Sequence, residues 1–357
     1  MAFLDGLKNS LNSSLKLEEV AGGVASKLTS AKEFLAEKQQ SVTDSGPMKM
    51  VKERVGALVP PGASNYFSFN FGQKMTAAPL LRFEDRWGYW TEEFGPANWA
   101  KYFPAGQGKR QSPIDIITSE ARFDESLGDG GFQFNYVPAD AIEIINTGFS
   151  FQIQCAAISQ STMAAVHLPG TFRIRQIHAH WGTEPMNGSE HLVGGVGYAG
   201  EVHIVHWNTK YPNFEEALKH GDGVAVLGIF LNESHDDNPN LSEIVELSSK
   251  ILYKGDKHPL PNGFDPKKLL PDKTEFWTYE GSLTTPPLNE CVQWTVFHSS
   301  IPISSAQLEK LRQLYAVGLE DVERNPLHMA GNVRPPNPLN GRVVRASFRS
   351  GGVVAEG

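Results

Sequence analysis

A chain of 357 residues with 40% hydrophobic and 20% charged side chains, 34 glycines and 23 prolines has the balance of a folded, loop-rich protein, which excludes disordered and fibrous classes. A net charge of -8 with no cluster of lysine and arginine argues against nucleic acid as a partner. Two cysteines, Cys155 and Cys291, allow at most one disulfide and offer no C-x-x-C pair for structural zinc or redox work.

Residues 1–80 form the first segment. Leu4, Leu7, Leu11, Leu15, Val20, Val24, Leu28 and Leu35 recur at mostly three- to five-residue intervals, the spacing of an amphipathic helix. The chain then turns polar and broken, and Val59-Pro60-Pro61-Gly62 reads as a linker, so an N-terminal extension of helix and linker is expected before residue 81. Its mixed charge leaves membrane-surface association, a protein partner and packing on the rest of the chain open, and oligomeric state is not legible. The first residues lack the apolar core of a secretory signal, and no stretch approaches the roughly 18 apolar residues of a spanning helix. A cytoplasmic location follows as the expectation, with membrane association or non-classical secretion as the alternative.

Residues 81–350 change character to short apolar or alternating runs between Gly, Pro, Asn and Asp. Ile142–Ile145, Phe149–Ile153, Phe172–Ile177, Val202–His206, Val224–Leu231 and Val292–Phe297 read as strands. Helical stretches are fewer: Asn213–His220, Leu241–Leu252 and Ser305–Leu314, the last with an N-cap-like entry at Ser304. The expected fold is mainly β with peripheral helices (α+β), one domain, and residues 351–357 read as a flexible tail.

Five of the eleven histidines fall between residues 178 and 206. In a strand, Gln176, His178 and His180 share one face, and Glu201, His203 and Val205 share one face of the next run. If the two runs pair, His178, His180 and His203 converge as three neutral nitrogens, a donor set suited to tetrahedral zinc with a fourth position free. Gln176 and Glu201 stand two residues before a ligand, placed to accept the other ring N–H of His178 and His203. His191 and His206 point elsewhere and read as buried, hydrogen-bonded histidines. Gly195-Val-Gly197-Tyr-Ala-Gly200 fits a dinucleotide-binding pattern but precedes a strand rather than a helix, so a phosphate-cradling role fails. Asn187-Gly-Ser189 and Asn232-Glu-Ser234 fit glycosylation sequons, relevant only to a secreted chain.

Over about residues 85–348 the sequence resembles the alpha-class carbonic anhydrases. The resemblance is carried in order by Trp87-Gly-Tyr89, Arg110-Gln-Ser112-Pro-Ile, Gln176-Ile-His-Ala-His-Trp-Gly182, Gly188-Ser-Glu-His191, Glu201-Val-His-Ile-Val-His-Trp-Asn208, Tyr279-Glu-Gly-Ser-Leu-Thr-Thr-Pro-Pro287 and Asn332-Val-Arg-Pro-Pro336. It implies a central, mostly antiparallel twisted sheet of about ten strands and reversible hydration of carbon dioxide to bicarbonate and a proton by zinc-bound hydroxide. It further implies Zn2+ on His178, His180 and His203, and a Thr284 hydroxyl that donates to Glu190 and accepts from the nucleophile. An apolar substrate wall of Val205, Val226, Leu283 and Trp294 with Thr285 follows from the same resemblance, as do Tyr89 and Asn146 as water-ordering groups.

Where fast members of the family carry a proton-shuttling histidine, this chain has Phe149, which holds no proton. Slower turnover is expected. The cysteine pair common in extracellular members is absent at Gly108-Lys-Arg110 and Leu288-Asn-Glu290, which supports a reducing compartment. The alternative reading is a catalytically weak carbonic-anhydrase-like binding or scaffold protein.

Overall fold

A computed structural model describes residues 87–349; the expected helix and linker of residues 1–80 and the tail of residues 351–357 lie outside the described residues. Alternating runs become strands because a period of two buries a whole face of a pleated ribbon. The strands are β1 (Asp115–Ile116), β2 (Arg122–Phe123), β3 (Gln133–Asn135), β4 (Ala141–Asn146), β5 (Phe151–Cys155), β6 (Thr162–Ala164), β7 (Phe172–Trp181) and β8 (Leu192–Val193). They continue as β9 (Gly200–Asn208), β10 (Val224–Ser234), β11 (Lys257–Pro259), β12 (Phe276–Gly281), β13 (Val292–Phe297), β14 (Ile301–Ser304) and β15 (Arg345–Ala346).

Ten of them pair in the order β11-β4-β5-β7-β9-β10-β13-β12-β15-β2, with β3, β6 and β14 attached beside that path. Pairing is antiparallel except at β10–β13, β10–β14 and β15–β2 within this sheet. The expected class is therefore present: a large, mostly antiparallel sheet with a few peripheral helices. Every residue of β9 is buried, as a central strand covered on both faces requires. One face carries a core of Ile177, Ile204, Leu227 and Phe297, and the other carries Val205, Val226, Trp294 and Val292. Cys155 and Cys291 are buried free thiols, one in each core.

Helices α1 (Trp99–Tyr102), α2 (Phe214–Ala217), α3 (Ser242–Ser248) and α4 (Ser305–Arg312) are short and peripheral. The expected helix over Asn213–His220 shrinks to one turn: Asn213 caps its start through Glu216 N, and Gly221 and Gly223 follow. That over Leu241–Leu252 ends at Ser248. α4 begins as expected, with Ser304 and Gln307 forming a reciprocal capping box.

Strand β5 starts two residues later than the expected Phe149, because Thr147–Ser150 is a turn closed by Thr147 N to Ser150 O at 3.0 Å with Gly148 at φ +84°. That turn corrects one assignment. Asn146 is fully buried; its amide donates to the carbonyls of Ile251, Leu252 and Tyr315, and its Oδ1 accepts from Gly148 N. Both its N–H donors are spent on backbone carbonyls, so it braces the turn, which the water-ordering expectation did not include. Asn146→Ala, which strands three buried acceptors, is expected to cost about 2–4 kcal/mol in urea unfolding with metal binding retained. A loss below about 1 kcal/mol would contradict the bracing role.

A second local feature is a bulge in β7. Ile174 pairs with His206 and Gln176 with Val205 on β9, which leaves Arg175 as the extra residue. Past the bulge, alternation runs as expected through His178 and His180. Before it the faces are exchanged, so Phe172 and Ile174 join the core of Ile177.

Candidate metal centre

Strands β7 and β9 pair with His178 opposite His203 and His180 opposite Glu201. The three ring centroids stand 5.1, 5.1 and 4.7 Å apart. The ligand atoms of His178, His180 and His203 all lie within 4.8 Å of one another, and Glu190 Oε2 stands beside two of them, 3.3 Å from His180 Nε2 and 4.0 Å from His203 Nδ1.

Each ring is fixed from behind. His178 Nδ1 lies 2.9 Å from Gln176 Oε1, and His203 Nε2 lies 2.8 Å from Glu201 Oε1. Both contacts follow the alternation reading. His180 Nδ1 is held by the Asn332 carbonyl at 2.6 Å, a partner 152 residues away that local spacing had no means of signalling. Since each accepting oxygen takes a ring N–H, the lone pairs left are on His178 Nε2, His180 Nε2 and His203 Nδ1.

These atoms fit a small divalent ion. Two ligands in tetrahedral zinc, with bonds of about 2.0–2.1 Å, stand roughly 3.3–3.4 Å apart, and His203 Nδ1 and His178 Nε2 are 3.3 Å apart. His180 Nε2 is buried with no hydrogen-bond partner, an orphan that a metal bond would satisfy. Burial and the neighbouring imidazoles push His178 well below the ordinary histidine range, and burial likewise lowers His180. Both rings are thereby kept in the neutral, ligating form.

Glu201 is the hub behind the centre. Besides His203 it accepts from Glu190 N at 3.0 Å, from His191 N at 2.8 Å and from His191 Nδ1 at 2.7 Å. The chain continues from His191 Nε2 to Tyr279 OH at 2.6 Å and on to Ser112 Oγ at 2.8 Å. Burial alone would raise the Glu201 carboxyl, but the charges and hydrogen bonds of His191 and His203 outweigh it and hold the group well below the usual range. His191, Glu201 and His203 also gather closely. Their contacts of 2.7–2.8 Å are hydrogen bonds, shorter than the ligand separation around a zinc ion. Gly228 of β10 faces His203, and a Cβ there would stand 3.0 Å from Glu201 Oε1, so a side chain would press on the carboxylate that aims the ring. His206 is structural, as expected: Nε2 meets Tyr136 OH at 2.9 Å, and burial pushes its pKa down to about 3.

Glu190 is fully buried. Its Oε1 accepts from Arg334 N at 2.9 Å, while Oε2 has no hydrogen-bond partner and lies 3.3 Å from His180 Nε2. Thr284 is buried just beyond β12, and among the described residues its expected hydrogen bond to Glu190 is not formed. Val205, Val226 and Trp294 lie side by side across β9, β10 and β13, with Leu283 packed on the same cluster. Trp294 reaches His203 with ring centroids 4.9 Å apart. Thr285 is half-buried in the turn closed by Leu288 N to Thr285 O. Tyr89 is half-buried, close enough to Glu190 and Arg334 for their charges to act on its hydroxyl. Phe149 stacks on Trp87 at 3.9 Å and 17°, with Lys254 Nζ 5.6 Å from its ring centroid.

Three imidazoles from paired antiparallel strands, oriented by an amide, a carboxylate and a carbonyl beside an apolar wall, form a three-histidine group that could hold one metal ion. The family model for eukaryotic-type carbonic anhydrase matches residues 94–348, and the chain belongs to that family. It is 43% identical over 265 residues to "Carbonic anhydrase 1" of Monodelphis domestica, covering 74% of this chain and 98% of that protein. It is 44% identical to "Carbonic anhydrase 1" of Mus musculus, with 73% and 98% covered. To "Carbonic anhydrase 3" of Homo sapiens it is 42% identical, with 74% and 98% covered.

Proposed function

We propose that this protein reversibly hydrates carbon dioxide to bicarbonate and a proton, with Zn2+ held by His178 Nε2, His180 Nε2 and His203 Nδ1. The carrying observation is the convergence of three separately oriented ring nitrogens with a spacing that fits the ion. When bound, zinc supplies the Lewis acidity that makes water acidic enough to give a nucleophile near neutral pH, behaviour for which this family is the standard case.

The chain supplies the rest. Val205, Val226, Leu283 and Trp294 form a dry wall suited to an uncharged linear substrate. Arg334 N fixes the plane of the Glu190 carboxylate, which leaves Oε2 free to accept from the Thr284 hydroxyl. A hydroxyl committed as donor to a carboxylate can only accept from the attacking group, which aims that group's lone pair at the substrate. Tyr89 and Thr285 line the wet side and order solvent there. The two buried free thiols suit the cytoplasm proposed as its compartment, and among the described residues no helix is long and apolar enough to cross a membrane.

Metal analysis with a carbon dioxide hydration assay tests the reading. One zinc per chain with hydration well above the uncatalysed rate is expected, and Thr284→Ala should retain the zinc while losing roughly 100-fold in kcat/KM. Zinc bound without any hydration would instead favour a scaffold role.

A further inference from the structure

The bulge in β7 has a chemical consequence. Strict alternation would turn Arg175 away from Gln176, yet both stand opposite Val205, which belongs to the wall of the metal site. Arg173 pairs with Trp207 on β9, two residues from Val205 and therefore on the same face. Two guanidinium groups, two residues apart, are thus brought to the face that carries His178 and His203.

Both lie over aromatic rings. Arg173 Cζ lies 5.4 Å from the centroid of Trp207, and Arg175 Cζ lies 5.6 Å from that of Phe214, which packs on the cluster of Val205. Arg175 Nη1 also makes a long contact to Gln154 Oε1 at 3.4 Å, and Gln154 pairs with Gln176 behind His178. Arg110, Arg312 and Arg345 each sit beside a carboxylate. Neither Arg173 nor Arg175 has a carboxylate partner among the described residues, and Arg173 Nε is buried without an acceptor. Two guanidinium groups on one face, neither paired with a carboxylate, on a chain of net charge -8 carry uncompensated charge, and a guanidinium can offer a carboxylate two parallel N–H···O bonds.

We propose that Arg173 and Arg175 form an anion subsite beside the metal centre, one that takes the paired oxygens of a small carboxylate or of bicarbonate. The bicarbonate half rests on the hydration reading above; the carboxylate half stands without it. The subsite gathers the anion at the rim, and its loss weakens binding without touching the groups that turn the substrate over.

The test uses the zinc-loaded full chain, Arg175→Gln and the Arg173→Gln/Arg175→Gln double variant. It measures kcat and KM for bicarbonate dehydration, and acetate binding by saturation-transfer NMR. The expected result is a KM raised about tenfold in the double variant with kcat kept, and a parallel loss of acetate binding. Loss for bicarbonate alone would confine the subsite to that anion. Unchanged KM and unchanged acetate binding in both variants would overturn it, and Arg175→Gln keeps the test decisive if removing Arg173 from Trp207 impairs folding. A parent protein inert towards bicarbonate whose acetate signal still falls in the variants would sink the hydration reading and leave the subsite standing.

Discussion

His203→Ala is expected to abolish carbon dioxide hydration and to lower bound zinc from one per chain to a small fraction after dialysis. The mutation removes one of three nitrogens and also takes from Glu201 one of its four donors, the ring that meets Oε1 at 2.8 Å. A buried carboxylate that loses a donor adds an electrostatic penalty to the lost bond. Two comparisons make the effect specific. Glu201→Gln keeps the ligand but loosens its aim and should cost roughly 10–100-fold in zinc affinity. His206→Ala, three residues along β9 and on the opposite face, loses its contact with Tyr136 and should lower stability while leaving zinc stoichiometry intact. Equal metal loss from His203→Ala and His206→Ala would disprove the assignment of faces.

The second large effect concerns the proton released by hydration. Phe149 offers no titratable atom, and the stack on Trp87 at 3.9 Å holds the ring in place. Turnover in weak buffer should therefore be limited by proton transfer. Phe149→His should raise it roughly tenfold or more, and adding imidazole buffer to the unmodified protein should do the same. Lys254 stands 5.6 Å from the ring centroid, so its ammonium would disfavour protonation of the new imidazole. Adding Lys254→Gln to Phe149→His should move the onset of the gain to higher pH. Turnover that ignores both the substitution and the buffer would show that proton release is not the slow step.

The three candidate metal ligands were legible in the sequence because a strand's period is fixed by covalent geometry. Gln176, His178 and His180 had to share a face, as did Glu201 and His203, and two of the three orienting contacts followed from the same rule. The apolar wall was legible only through family resemblance, since Val205, Val226 and Trp294 lie on three strands whose adjacency no local pattern encodes. Tertiary structure alone decided three things. The Asn332 carbonyl behind His180 and the Arg334 amide on Glu190 come from chain 152 and 144 residues away, brought in by packing. Asn146 proved to be a brace because carbonyls from two distant segments, Ile251 and Leu252 from one and Tyr315 from another, close on its amide. The bulge at Arg175 inverted the faces of half a strand: one extra residue shifts a period-two pattern by its full amplitude, and only the partner strand determines where that residue is accommodated.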